Sequence, residues 1–146
     1  MKIAIGCDPN AEDFKTELIP FIEGLGHEVQ DYGSEDPIYA NVAIAVATDV
    51  AAGKHDRGVL ICGTGIGVSI AANKVPGAYA ALVNNIYQAQ RAQLSNNANI
   101  ITMGAQVTGI ELAKCFVREY LANSYDPNTR SAPKVNRISD YEKAGK

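Results

Sequence analysis

The sequence predicts an α/β domain: a mainly parallel five-stranded sheet covered by helices on both faces, with a C-terminal arm. Three observations carry this. Short apolar runs alternate with longer stretches of helical spacing. Several apolar runs are continuous rather than alternating, as strands buried on both faces are. A regular βα repeat implies right-handed crossovers between parallel strands, the doubly wound arrangement. At 146 residues the chain is long enough for one sizeable core and short for two, so residues 1–146 read as a single domain.

The first strand is 2–7 (KIAIGC), ending at Cys7 and Asp8. A helix follows over about 11–24, where Phe14, Leu18, Phe21, Ile22 and Leu25 recur at helical spacing and Gly24 and Gly26 mark the end. Residues 28–32 (EVQDY) form the second strand, leading through Gly33 to a helix at about 40–52. The third strand, 57–62 (RGVLIC), runs into a glycine-rich turn and a helix at 67–74. Residues 78–83 (AYAALV) and 99–103 (NIITM) are the fourth and fifth strands, with helices at 86–95 and 109–123. From Tyr125 the chain turns polar and carries Pro127 and Pro133, an extended arm (about 125–146) ending in a short helix.

Ligands in open sheets of this kind sit beyond the carboxyl ends of the strands, where strand order reverses. Here those ends are Cys7-Asp8, the Tyr32-Gly33 region, Cys62 to Gly67, Val83 to Asn85, and Met103-Gly104. The most informative is 59–74, VLICGTGIGVSIAANK. A strand ends in Cys62, passes through Gly63, Thr64, Gly65 and Gly67, and gives way to a helix by Ser69. A thiol, a hydroxyl and several free backbone N–H groups meet at a positive helix end, a place that holds an anion or stabilises one formed in a reaction. The alternative is a tight βα turn whose glycines only permit close packing. The added Cys and Thr, with basic residues elsewhere, favour function.

Composition removes other classes. A net charge of −3 without a basic run gives no case for nucleic acid. No apolar run approaches the ~20 residues of a membrane span, and the opening MKIAIGCD is too short to be a secretory signal. Cys7, Cys62 and Cys115 are an odd number without CxxC spacing, which argues against disulfides or zinc and for a reducing cytoplasm. Cys115 is expected in the core, and packing is the favoured reading of Cys7. His27 and His55 lie in polar stretches and are expected to face solvent, leaving no histidine metal cluster and no Ser-His-Asp machinery. The glycines follow the third strand with the spacing CGTGIGVS, which fits a dinucleotide fingerprint poorly, and no GKS or GKT marks a P-loop.

The chain resembles the type B ribose-5-phosphate isomerases and their galactose-6-phosphate and tetrulose-4-phosphate isomerase relatives over almost its whole length. The resemblance rests on IAIGCD, Tyr39 before the second helix, DRGVLICGTGIGVSIAANKVPG, NNANIITMG, and Arg130 with a basic residue four positions on. It implies a Rossmann-like αβα sandwich without a nucleotide, a homodimer (or a further tetramer) whose site draws on both subunits, and metal-free, cofactor-free interconversion of aldose and ketose phosphates. It makes Cys62 the base that moves a proton between C1 and C2. A thiol of ordinary pKa, near ~8.5, is a poor base until a helix end or cation favours its thiolate, and the loop after Cys62 offers such surroundings. The cis-enediolate formed needs donors, for which the N–H groups from Gly63 through Gly65 and Gly67 to Ser69 are the candidates. By the same resemblance Thr64 lies near the sugar oxygens, Asp8 and Tyr39 at the sugar end, and Asn96 on a substrate hydroxyl. A capping or turn role is the alternative for Asp8 and Asn96. Arg130 and Lys134, with Arg137 helping, are expected on the phosphate; a solvated tail is the alternative.

Three departures from that pattern stand out, and the one at Ser95 bears on the substrate. Pro9 stands where the pentose-phosphate members have His, and Ser95 where they have the His thought to open the sugar ring; the family's second Arg is here Lys134. Serine does not titrate near neutrality and cannot serve as that acid–base group. Either another group or solvent opens the ring, or the substrate has none to open, and a four-carbon sugar esterified at O4 has no furanose. The substrate expected is therefore D-erythrulose 4-phosphate with D-erythrose 4-phosphate, and RAQLSNNANIITMGAQVTG and YDPNTRSA resemble the tetrulose-phosphate branch. Ribose 5-phosphate, a six-carbon 6-phosphate, and a non-catalytic sugar-phosphate-binding subunit remain the alternatives.

Overall fold

The computed structural model describes residues 1–145. Its strands are β1 (Lys2–Cys7), β2 (Glu28–Asp31), β3 (Arg57–Cys62), β4 (Ala80–Leu82) and β5 (Ile100–Gly104). Its α-helices are α1 (Glu12–Gly24), α2 (Tyr39–Ala51), α3 (Ile66–Ala72), α4 (Ile86–Leu94), α5 (Ile110–Ala122) and α6 (Ala132–Lys143). A single 3-10 turn, Pro9–Ala11, precedes α1, because Asp8 caps it and Pro9 suits its first position. No helix among the described residues is long and apolar enough to cross a membrane.

All five strands are parallel, in the order β2-β1-β3-β5-β4. Strand order therefore reverses between β1 and β3, and a crevice opens beyond their carboxyl ends. The sheet is covered on both faces. Ile3, Ile5, Cys7, Val59, Ile61, Ile101 and Met103 pack against α1, α4 and α5, whereas Ala4, Leu60, Cys62 and Ile100 pack against α2 and α3. The inner strands β1, β3 and β5 are buried almost throughout and largely apolar because neither of their faces meets water, whereas the edge strand β2 carries Glu28, Gln30 and Asp31 in the open.

The arm is tied at its root. Arg57, buried at the start of β3, donates to the carbonyls of Tyr120 and Asn123, and Tyr125 N–H donates to Gln93 Oε1 at 3.0 Å. The helix that follows is longer than expected, twelve residues, yet only Ala132 of α6 is buried. Its far end is held by Glu142, whose Oε2 accepts from Tyr79 Oη at 2.8 Å and from Gly77 N–H at 3.1 Å.

Three expectations need correction. Cys115 is half-buried, since the buried stripe of α5 runs through Ala113, Phe116, Val117, Tyr120 and Leu121 and Cys115 falls beside it. His55 is half-buried rather than solvent-facing: its Nε2 lies 2.9 Å from Tyr32 Oη, which itself donates to Asp49 at 2.7 Å. His27 is also half-buried and lies against the N-terminal ammonium, its Nδ1 3.0 Å away; burial and that charge lower its pKa.

Candidate active site

The site begins with the end of β3. Cys62 is 4% exposed, on the sheet face covered by α2 and α3. Its Sγ accepts a hydrogen bond from Gly65 N–H at 3.1 Å. That bond requires the chain to turn back sharply, and it does so because Gly65 takes φ +80°, where an L side chain is strained. A Cβ on Gly65 would also run into the Met103 backbone and Leu82. The turn is pinned from below by Thr102 Oγ1, which donates to Gly65 O at 2.9 Å. The sulfur thus sits beside the turn that leads into α3, held by the Gly65 amide.

Around the sulfur, four elements converge. Asp8, 5% exposed at the end of β1, accepts from Asn10 N–H at 3.1 Å and from Asn10 Nδ2 at 3.3 Å. Tyr39 opens α2 and lays its ring over Gly67, where any Cβ would collide with it. Thr64 is exposed, its Oγ1 accepting from Ile66 N–H at 3.3 Å. Asp8, Tyr39, Cys62, Gly63, Thr64 and Gly67 line one open cavity of about 430 Å³.

Asn10, Ile66 and Ile70 line the same cavity and were not anticipated. Asn10 had a legible signal in the Asp8-Pro9-Asn10 turn; the two isoleucines, exposed on α3, had none. Ser69 was expected among the donors but lies inside α3, away from the cavity, with its carbonyl bonded to Asn73 Nδ2. Asn96 is also elsewhere. It borders a separate cavity of about 210 Å³ beyond β4, with Gln88 and Arg91, and its Nδ2 donates to Arg91 O at 2.9 Å. Arg130, Lys134 and Arg137 are exposed on the arm and α6, and none borders the Cys62 cavity. Arg137 rests over the Tyr141 ring at 5.4 Å.

Two further hollows, of about 230 and 440 Å³, lie at the opposite edge of the sheet, lined by Lys2, Glu28 and Lys54. They gather no thiol or turn amides. Among the described residues no three His, Cys, Asp or Glu side chains are placed to hold a metal ion.

Comparison with known proteins agrees with this fold. The model of the Ribose/Galactose Isomerase family matches residues 3–138. D-erythrulose-4-phosphate isomerase 2 of Mycolicibacterium smegmatis is 45% identical over 150 residues, 99% of each chain. D-erythrulose-4-phosphate isomerase of Pectobacterium atrosepticum is 45% identical over 146 residues, 97% of this chain and 95% of that one. The solved structure of Clostridium thermocellum ribose-5-phosphate isomerase B superposes with a TM-score of 0.93 at 40% identity, covering 100% of both chains. With a buried thiol held by a turn amide at the switch point of a parallel sheet, and with these matches along its length, the chain belongs to the ribose/galactose isomerase family.

Proposed function

We propose that this chain interconverts D-erythrulose 4-phosphate and D-erythrose 4-phosphate by metal-free proton transfer between C1 and C2. The observation that carries the reading is the Cys62 sulfur, bonded to Gly65 N–H at 3.1 Å on the wall of an open cavity. As thiolate, Cys62 takes a proton from C1 of the ketose; the C–H electrons form the C1=C2 bond and charge settles on O2. Gly63 and Gly67, which line the cavity, offer their amides to that enediolate, while the Gly65 N–H stays on the sulfur. Thr64, at the cavity mouth, relays the O1 proton to O2, and the Cys62 thiol returns its proton to C2. Asp8 and Tyr39 hold the sugar end.

Phosphate binding falls to Arg130, Lys134 and Arg137, with Asn96 on a hydroxyl. Since these residues stand apart from the Cys62 cavity of their own chain, they serve the site of a second copy in a homodimer. Ile138 and Tyr141, each 54% exposed on α6, supply apolar surface for that contact. The tetrose reading is supported by Ser95 in place of a ring-opening His and by the two 45% identical relatives. A pentose reading is favoured by the full-length match to ribose-5-phosphate isomerase B.

Incubation in heavy water with four-, five- and six-carbon aldose phosphates, followed by NMR at C2, separates these. Exchange is expected fastest on erythrose 4-phosphate. Much faster turnover of ribose 5-phosphate would remove the tetrose assignment, and no exchange on any sugar would leave a binding subunit.

A further inference from the structure

Arg91, in the last turn of α4, has no assigned task and an unusual setting. Its Nε donates to Ser95 Oγ at 3.0 Å, four residues on, and its carbonyl accepts from Asn96 Nδ2 at 2.9 Å. Among the described residues no carboxylate pairs with it, and its two terminal nitrogens have no hydrogen-bond partner. It is half-buried on the wall of the 210 Å³ cavity beside Asn96 and Gln88. A guanidinium clamped at Nε with both Nη groups free presents a planar fork, the shape that matches a phosphate edge.

The clamp depends on serine. A bulkier side chain at position 95 would occupy the place where Arg91 Nε is received. Ser95, which stands where the resemblance places a ring-opening His, thus also holds a cation next to Asn96. With C1 and C2 held at Cys62, a sugar phosphate one carbon shorter carries its phosphate nearer that end and needs a cation other than the one that serves the longer sugar. We infer that Arg91, positioned by Ser95, is the chain-length determinant: it contacts the phosphate of a four-carbon substrate and leaves a five-carbon one to Arg130 and Lys134. This inference rests on the isomerase reading above and on Asn96 facing the substrate.

The test compares kcat and KM for erythrulose 4-phosphate and ribose 5-phosphate in wild type, Arg91→Leu, Arg91→Lys and Ser95→Ala. Losing a charge-assisted bond should raise KM for the tetrose by about 10- to 100-fold, with kcat nearly kept. The pentose kcat/KM should stay within about threefold. Arg91→Lys should fall between, having charge without the fork, and Ser95→Ala should reproduce part of the loss by freeing the guanidinium. A merely structural Arg91, acting at the carbonyl end of α4, would lower Tm and depress both sugars alike, which would overturn the inference. Wild type inactive on both sugars would instead overturn the isomerase reading beneath it.

Discussion

Cys7 and Cys62 end neighbouring parallel strands, yet their surroundings make them opposites. Register sets the difference. Cys7 pairs with Ile61, so Cys62 stands one residue further along and points to the other face. Cys7, 1% exposed, is packed among Ile3, Ile5 and Leu18 beneath α1 and α5, and burial pushes its thiol up to about 12. Cys62 is as deeply placed but meets the Gly65 N–H and borders a cavity. Burial alone makes a thiol inert; an amide and an opening make it usable.

The contrast can be broken most strongly by exchanging sulfur for oxygen at each position. Cys62→Ser should lower kcat by about 10⁴-fold, whereas Cys7→Ser should leave kcat nearly unchanged while costing stability, as steady-state rates and melting would show. Next comes Gly65→Ala. A left-handed backbone and the nearby Met103 backbone should together cost about 2–4 kcal/mol in denaturant unfolding, and activity should fall as the amide leaves the sulfur.

Smaller effects sharpen the same comparison. Because the folded Cys7 value lies above the ordinary thiol value of 9.0, its contribution to stability is complete below about 9 and is lost as pH rises toward about 12. Cys7→Ala should therefore flatten the fall of unfolding free energy across that window by up to about 1.4 kcal/mol per pH unit. Gly67→Ala should be milder still: the half-exposed Tyr39 ring can swing aside, so Tm should barely change while KM rises about threefold.

How much of this was legible depends on how local each signal is. Strands buried on both faces announce themselves as continuous apolar runs, and the Cys62–Gly67 turn is one contiguous stretch, so the sheet and the turn that lines the cavity could be read directly. Asp8 and Tyr39 join that edge through tertiary packing, which only the resemblance supplied. Cys115 was misplaced because a residue one step off a helical stripe looks apolar enough to belong to it. His55 sits in a charged stretch, and nothing nearby in sequence announces Tyr32 as its partner. Arg91 reads as a solvated helix cation until its bond to Ser95 is seen, although the four-residue spacing was there to notice. The arm showed its basic residues but not where they lie relative to the Cys62 cavity, which only the fold reveals.

Site-resolved alkylation tests the proposed chemistry most directly. Wild-type protein is treated with iodoacetamide, labelling of Cys7, Cys62 and Cys115 is followed by peptide mass, and residual isomerase activity is measured in parallel. Activity should decline in step with labelling of Cys62, with erythrose 4-phosphate slowing both, while Cys7 stays unmodified. Full modification of Cys62 with turnover retained, or inactivation that follows Cys115 instead, would contradict it.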